Sequence, residues 1–227
     1  MNRFLLCTVL VAASAAAFAS PQANDTRRDI SKVNGGITAE AGRAYGDLDT
    51  VNGGIQLDRG ASAGEVETVN GGITAGDGVT ASEASTVNGG IRFGRDGRIS
   101  GNLETVNGGI FIDRGSKVGG DVSTVNGAIG LVGTAVEGGI ETVNGDVTVG
   151  ADSRVARGIR VEKPKGNFGL NFGKHKIPRV VIGPNAVVDG PLVFEREVKL
   201  YVHASARIGS VSGATAVRYD GATPPKD

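Results

Sequence analysis

The sequence predicts an all-β fold, a single-stranded parallel β-helix (β-solenoid) of about 18 residues per coil and undetermined handedness. The pentapeptide Val-Asn-Gly-Gly-Ile occurs five times, and variants of it begin at Val125 and Val143. The copies recur at a near-constant spacing, too short a period for a helical pair or a propeller blade. With 38 glycines and no Trp, the chain is suited to a thin, long core.

Residues 1–19 are predicted to be a signal peptide. Arg3 precedes an apolar run from Phe4 to Val11, and Ala17-Phe18-Ala19 has the small-x-small form that signal peptidase accepts. We expect cleavage after Ala19, a periplasmic or secreted protein, and no transmembrane span in the mature chain. A buried hydrophobic helix is the alternative. Cys7 lies inside this run, so the mature chain would contain no thiol for disulfides, catalysis or metal binding.

The remaining chain divides into five segments. Residues 20–29 form a polar linker, and residues 30–161 form the main solenoid repeats. Residues 162–178 fit no coil and are interpreted as a basic inserted loop or hairpin. Triplets such as Ala186-Val187-Val188 and Leu192-Val193-Phe194 then recur every six residues, and three such sides make a coil of the same length as before. The solenoid is therefore extended through residues 179–217, and residues 218–227 form a tail.

Each coil is expected to contain strands and two corners. In Ile110-Phe111-Ile112 the two-residue alternation points the outer side chains inward and the middle one to solvent. Asn-Gly is typical of a turn with positive φ and predicts the first corner. Turn sequences such as Asp58-Arg59-Gly60 and Asp113-Arg114-Gly115 predict the second corner.

Identical corners in successive coils would place equivalent side chains about 4.8 Å apart. The corner asparagines are therefore expected to form a structural column in which the amides bond to each other, with plain turn formation as the alternative. The column comprises Asn34, Asn52, Asn70, Asn88, Asn107, Asn126 and Asn144. A column of acidic and Ser residues just before the invariant Thr is expected to face water.

The orientation of the Thr-Val pair in each coil has two solutions. Strict alternation from Leu103 sends Thr105 inward and Val106 outward, whereas a bend at Glu104-Thr105 puts Val106 in the core. We favour the bend, because seven stacked exposed valines would make an apolar stripe. If the stripe is exposed, it is the best candidate for a partner surface.

The sequence offers little for catalysis, so we expect no enzyme, no cofactor and no metal site. The two histidines, His175 and His203, have no neighbouring ligand at metal-binding spacing. A carbohydrate-active β-helix enzyme stays open as an alternative, because turn carboxylates would line one edge. These are Asp58, Asp77, Asp96 and Asp113.

The segment from Arg154 to Arg179 is the strongest candidate for binding. It carries eight basic residues against Glu162, a local net charge of +7, in a chain whose formal net charge is zero. An anionic envelope polymer is the expected ligand and a solvated loop the alternative; nucleic acid is not expected. The candidate binding residues are Arg154, Arg157, Arg160, Lys163, Lys165, Phe168, Phe172, Lys174, Lys176 and Arg179.

The Thr-Val-Asn-Gly-Gly-Ile coils resemble those of adhesin-like β-solenoid families of bacterial envelopes. The block from Val180 to Ile208 resembles bactofilins, the polymer-forming bacterial cytoskeletal proteins, which generally lack a cleaved signal peptide. Repeat regularity and the absence of catalytic residues predict a non-enzymatic structural, polymer-forming or adhesive element of the cell envelope, with end-to-end assembly through the terminal coils left open. The alternatives are a module that binds anionic polymers through the insert and, third, the carbohydrate-active enzyme.

Overall fold

The computed structural model describes residues 27–164, 177–221 and 223–225, which form a parallel β-solenoid of about ten coils. This part of the chain contains no helix, and equivalent strands recur once per coil along the sequence. The predicted fold class is confirmed. The coils wind round three parallel sheets, here called sheets A, B and C.

Sheet A has ten strands within the described residues, and in most coils it carries the Thr-Val-Asn sequence. Its strands, in order along the sheet, are β1 (Arg28–Asn34), β3 (Tyr45–Asn52), β5 (Glu65–Asn70), β8 (Glu83–Asn88), β11 (Leu103–Asn107), β14 (Val122–Asn126), β17 (Ile140–Asn144), β20 (Ile159–Val161), β23 (Leu192–Phe194) and β26 (Val211–Ser212).

Sheet B follows the Gly-Gly corner and also has ten strands in the described part of the chain. Its strands are β2 (Ile37–Ala39), β4 (Ile55–Leu57), β6 (Ile73–Ala75), β9 (Ile91–Phe93), β12 (Ile110–Ile112), β15 (Ile129–Leu131), β18 (Val147–Val149), β21 (Arg179–Ile182), β24 (Lys199–His203) and β27 (Ala216–Tyr219). In the triplet strands the outer side chains are buried and the middle one points outward, as the alternation predicts.

Sheet C is the narrowest, with seven strands across the described segments, each two residues long. They are β7 (Thr80–Ala81), β10 (Arg98–Ile99), β13 (Lys117–Val118), β16 (Ala135–Val136), β19 (Arg154–Val155), β22 (Val187–Val188) and β25 (Arg207–Ile208). The sheet continues into the first coils through isolated bridges at Ala44, Ser62 and Thr80.

The core is one continuous column of aliphatic side chains along the solenoid axis. Leu48, Val66 and Leu103 from sheet A are fully buried, as are Ile55 and Ile73 from sheet B. Because each coil contributes only a few such side chains, burial is completed by the coil above and the coil below. The described solenoid begins at Arg28 and ends at Tyr219, slightly beyond the predicted limits on both sides.

The insert does not interrupt the sheets. β17 pairs with β20 in sheet A before the insert, and β18 pairs directly with β21 in sheet B after it. Thr142 is in register with Val161, and Val147 is in register with Val180. The insert therefore falls between β20 of sheet A and β21 of sheet B, at the corner where other coils carry Asn-Gly.

The favoured bend at the Thr-Val pair is wrong. The threonines of this column face inward and are 2–4% exposed, whereas the valines that follow them face outward. Five of the inward hydroxyls donate to corner glycine carbonyls of the preceding coil, as in the 2.8 Å bond from Thr86 Oγ1 to the Gly71 carbonyl. Since that hydroxyl would otherwise be buried without a partner, the hydrogen bond favours strict alternation.

The expectation of positive φ at every Asn-Gly corner is also largely wrong. Among the first glycines of these corners, only Gly35 and Gly53 have positive φ. Glycine is needed there for close stacking instead, because a Cβ on Gly71 would lie 2.0 Å from the Gly53 carbonyl oxygen. The left-handed residues occur mainly at the second corner, between sheets B and C, as in Gly60 and Asp96.

The two glycines of one corner therefore differ in their tolerance of a side chain. We expect Gly71→Ala to lower the free energy of unfolding by about 2 kcal/mol or more, because its methyl group collides with a rigid backbone carbonyl. Gly72→Ala is the matched control and should lower the free energy of unfolding less. Its Cβ would lie 3.1 Å from the nearest atom, and alanine reduces the conformational freedom of the unfolded chain. Urea unfolding measures both; equal losses would contradict this account.

Candidate functional site

A stripe of valines runs along the outer face of sheet A and is called here the valine stripe. Val33 in the first coil is 67% exposed and Val125 is 39% exposed, whereas the others are half-buried. The stripe contains Val33, Val51, Val69, Val87, Val106, Val125 and Val143. It is continuous because parallel in-register pairing places each valine beside its equivalent in the next coil.

Carboxylates interspersed with serines line the part of sheet A that lies beside the valine stripe. In register, this acidic column reads Ser31, Asp49, Glu67, Ser85, Glu104, Ser123, Glu141 and then Arg160. As expected from the sequence, these side chains point outward, half-buried or exposed. Asp49 pairs directly with Glu67, and Glu65 of the flanking position pairs with Glu83. Like charges at directly opposed positions repel each other, so the face stores unfavourable electrostatic energy.

The repulsion and partial burial change the acidity of this face. Burial raises the pKa of Asp49 to about 6, and the negative charge of Glu67 adds to the effect. Burial, followed by the charge of Glu104, raises the pKa of Glu83. The pKa of Glu141 is also raised, mainly by burial, although Arg160 acts in the opposite direction. Ionisation of these carboxyl groups is therefore unfavourable in the folded chain, and a bound cationic partner would make it less so.

The described basic candidates lie on different sides of the solenoid. Arg154 is on sheet C and pairs with Asp189 at 2.8 Å, and Arg160 is on sheet A and pairs with Glu195 at 3.0 Å. Arg179 is on sheet B. These three cations thus do not form one surface.

The contacts of Arg179 hold it against the solenoid. Its guanidinium stacks 4.7 Å from the centre of the Tyr201 ring and donates to the carbonyl of Pro225. Arg157 is exposed in the turn that follows β19 of sheet C, and Lys163 is exposed just after β20. The other predicted members lie outside the described residues, so binding through the insert stays a prediction: Lys165, Phe168, Phe172, Lys174 and Lys176.

The asparagine column forms a continuous hydrogen-bonded ladder. Each Nδ2 donates to the Oδ1 of the preceding coil at 3.0–3.1 Å, in six successive steps from Asn52 to Asn144. The corner backbone bonds in parallel, as in the 3.1 Å bond from the Gly71 N–H to the Asn88 carbonyl. Both networks hold each interior corner against its neighbours.

The ladder ends at Asn144, where the regular pattern breaks. The Oδ1 of Asn144 accepts from the guanidinium of Arg196, which also donates to the Val143 carbonyl at 3.0 Å. Thr142 Oγ1 is buried and has no hydrogen-bond partner among the described residues, unlike its equivalents in the five preceding coils. An open cleft of about 370 Å³ lies at this corner. Its lining residues are Asn126, Gly127, Ala128, Asn144, Gly145, Asp146, Pro178 and Arg196.

Sequence reasoning did not identify Arg196, although a signal for it exists. Phe194 is in register with Val161, which is in register with Thr142. Arg196 follows Phe194 by two residues, as Asn144 follows Thr142. Arg196 thus holds the position equivalent to Asn144 two coils later, and its guanidinium contacts the Asn144 side chain.

The carboxylates of the enzyme alternative lie in the turns that follow sheet B, but at different positions in those turns. Asp58 and Asp113 both directly follow a strand of sheet B, whereas Asp77 lies one residue further along its turn. Asp77 Oδ1 accepts from the Arg95 N–H at 2.9 Å, a turn-forming role. Within residues 27–164 and 177–221, no group of three His, Cys, Asp or Glu side chains is placed to hold a metal ion.

His203 takes part in local contacts near the C-terminal end. Its Nδ1 lies 2.8 Å from Ser205 Oγ, and its ring packs edge-to-face on Tyr219. His175 lies outside the described residues.

Comparisons of this chain with protein-family models, curated proteins and solved structures find no match. Across the described segments, no helix has the length and apolar character needed to cross a membrane.

The raised pKa of Asp49 predicts a pH-dependent effect of its replacement. Its folded pKa, about 6, exceeds the unfolded value of 3.8, so the penalty is absent below about pH 4 and full above pH 6. We expect Asp49→Asn to match the original chain near pH 4 and to be more stable at pH 7, by about 1 kcal/mol or less because water screens the exposed side.

Urea unfolding at several pH values measures this effect. In Glu67→Gln, removal of the neighbouring charge should lower the pKa of Asp49, which NMR titration would report. A stability difference that is constant across the pH range would contradict the prediction.

Proposed function

We propose that this chain is a non-enzymatic structural element of the cell envelope, a secreted or periplasmic β-solenoid that assembles end to end. The observation that carries the proposal is the edge of the first described coil, which no other described strand covers. β1 is the outermost described strand of sheet A, seven residues long, and six of those residues are exposed. An open strand edge is a template for addition of another chain.

At the opposite end, the last described strands also leave apolar side chains partly exposed. Sheet A ends in the two-residue strand β26, and Val217 in the last strand of sheet B is 49% exposed. Ile208, Val211 and Ala216 there are only partly buried against the core. A second copy stacked on either end would cover apolar side chains and pair backbone groups, as interior coils do. The leader-like N-terminus and the resemblance to adhesin-like families support an envelope address.

Two substitutions in the valine stripe distinguish end-to-end from lateral association. We expect Val33→Lys to weaken assembly, because it places a charge on the open edge strand. Val125→Lys, in the same column five coils away, is the matched control and should leave end contacts intact. Sedimentation velocity over a range of concentrations and electron microscopy measure the assemblies.

Each outcome of this experiment has a distinct meaning. Loss of assembly in Val125→Lys alone would show association through the side of the stripe and contradict the end-to-end arrangement. An original chain that stays monomeric at high concentration would contradict assembly altogether.

We also propose a second function, binding of anionic envelope polymers through the insert. The favouring observation is that the solenoid continues in register on both sides of the insert. Four residues separate Thr142 from Val147, and deletion of residues 163–176 would leave four between Val161 and Val180. The insert is thus an addition that the fold does not require, which is typical of a segment kept for function.

The corresponding deletion separates folding from binding. We expect the chain without residues 163–176 to keep its β-sheet circular dichroism and to unfold near the original midpoint, because the ordinary corner length is restored. Salt-sensitive retention on an anionic polysaccharide column should be lost. Replacing Lys163, Lys165, Lys174 and Lys176 by Gln is the matched control that keeps the length and removes charge. Unchanged retention in both variants would contradict this function.

A further inference from the structure

The seven Asn-Gly pairs of this chain are chemically alike, but the structure holds one of them differently. An Asn-Gly pair can undergo an intramolecular reaction in which the backbone nitrogen of the glycine attacks the carbonyl carbon of the asparagine side chain. The reaction needs a glycine N–H that is free of its ladder bond, a carboxamide that can reorient, and room for the ring. These requirements rank the seven corners.

The interior corners are held against this reaction. The N–H groups of Gly53, Gly71 and Gly89 each donate to the asparagine carbonyl of the next coil at 3.0–3.1 Å. The carboxamide of Asn70 donates to Asn52 and accepts from Asn88, both at 3.0 Å. Both reacting groups are therefore fixed in the ladder, and either would have to leave it first.

The corner at Asn144 and Gly145 lacks part of this protection. The carboxamide of Asn144 still donates to Asn126 Oδ1 at 3.1 Å, so the difference lies in the glycine N–H and in the space around it. Among the described residues, no hydrogen bond is made by the N–H of Gly145, or by that of Gly127 one coil earlier. The buried hydroxyl of Thr142 likewise has no partner within that part of the chain, and a Cβ on Gly145 would lie 3.0 Å from it. Asn144 and Gly145 both line the cleft, which provides space for the backbone to rearrange.

The carbonyl of Asn144 is also activated by a cation. In the interior of the ladder Oδ1 accepts a neutral amide N–H, whereas Oδ1 of Asn144 accepts from the Arg196 guanidinium. A fixed cation at this oxygen withdraws electrons from Cγ and stabilises the oxyanion that forms when a nucleophile adds to it.

We propose that Asn144-Gly145 is a self-modifying site, which converts to an aspartyl or isoaspartyl residue ahead of the interior Asn-Gly pairs. The Gly145 nitrogen forms a bond to Asn144 Cγ and loses its proton, the Cγ–Nδ2 bond breaks, and ammonia leaves with that proton. The product is a cyclic succinimide. Water then opens either carbonyl of the ring and gives aspartate or isoaspartate, with no change of oxidation state.

The product would suit its surroundings. A carboxylate at position 144 lies against the Arg196 guanidinium and exchanges a neutral acceptor for an ion pair. The ladder then ends in a charged pair at the corner next to the insert. Asn126 should react second. The Gly127 N–H, like that of Gly145, makes no hydrogen bond among the described residues, but the Oδ1 of Asn126 accepts from a neutral amide N–H and not from a cation.

The experiment follows all sites in one sample. The purified full-length chain is incubated in warm, mildly alkaline buffer, digested, and the mass increase of each Asn-Gly peptide is measured over time. Asn144 is expected to convert first, with Asn52, Asn70, Asn88 and Asn107 as internal controls. In urea, where the ladder is absent, the sites should react at similar rates.

Arg196→Ala tests the cation, and Arg196→Gln keeps a neutral donor at the same place. We expect both to slow conversion at Asn144 by about tenfold, from the loss of a charge-assisted hydrogen bond to the oxyanion. Circular dichroism and the unchanged rates at Asn70 and Asn88 verify that the variants remain folded. Equal rates at Asn144 and the interior sites in the folded chain would overturn the proposal, as would faster conversion of Asn144 in both variants.

Discussion

In-register parallel stacking of nearly identical coils is the constraint on which the rest of this structure depends. Each repeated residue of sheet A lies beside its own equivalent in the next coil, as Asn70 lies beside Asn88. The consequence depends on the side chain. A carboxamide both donates and accepts, so a column of asparagines bonds to itself. A carboxylate only accepts, so Asp49 beside Glu67 is unfavourable; burial, and then the charge of Glu67, raises the pKa of Asp49.

The same stacking accounts for the glycine content. At the first corner successive carbonyls approach so closely that a methyl group on Gly108 would lie 1.9 Å from the Gly89 oxygen. The second glycine of the pair has more room: a Cβ on Gly90 would lie 3.1 Å from the nearest oxygen. The first corner thus needs glycine for its small size, and the second corner needs residues that accept positive φ, including Asp96 and Asn185.

Much of the fold was predictable because the repeat itself states the register. Once the period was known, the Ile-x-apolar triplets, the asparagine column and the return of coils after the insert followed. The orientation of Thr86 and Val87 could not be predicted in this way, because the contact that decides it is a hydrogen bond from Thr86 to a glycine 15 residues earlier. Local alternation and a bend fit the sequence equally well until that acceptor is located.

The candidate sites were less predictable for a related reason. The repeat predicts the residues that all coils have in common. A residue that occurs in one coil alone, as a functional residue often does, has no equivalent in the other coils from which its position could be inferred. The sequence marked the insert as a departure through its charge, but could not show that Arg154, Arg160 and Arg179 lie on three sheets. Arg196 was overlooked because its partner Asn144 lies 52 residues away in sequence.

A solenoid gives each of its faces independent chemistry, since a column can change without disturbing the other columns. Sheet A uses this freedom to combine an apolar stripe with a row of carboxylates, while sheets B and C carry cations such as Arg92 and Arg98 on their outer positions. The stacked carboxylates oppose folding, yet the buried threonines and the asparagine ladder run beside them on the same strands. The attractive columns hold the register, and that rigidity is what allows a repulsive column to persist on the surface, available to a partner of opposite charge.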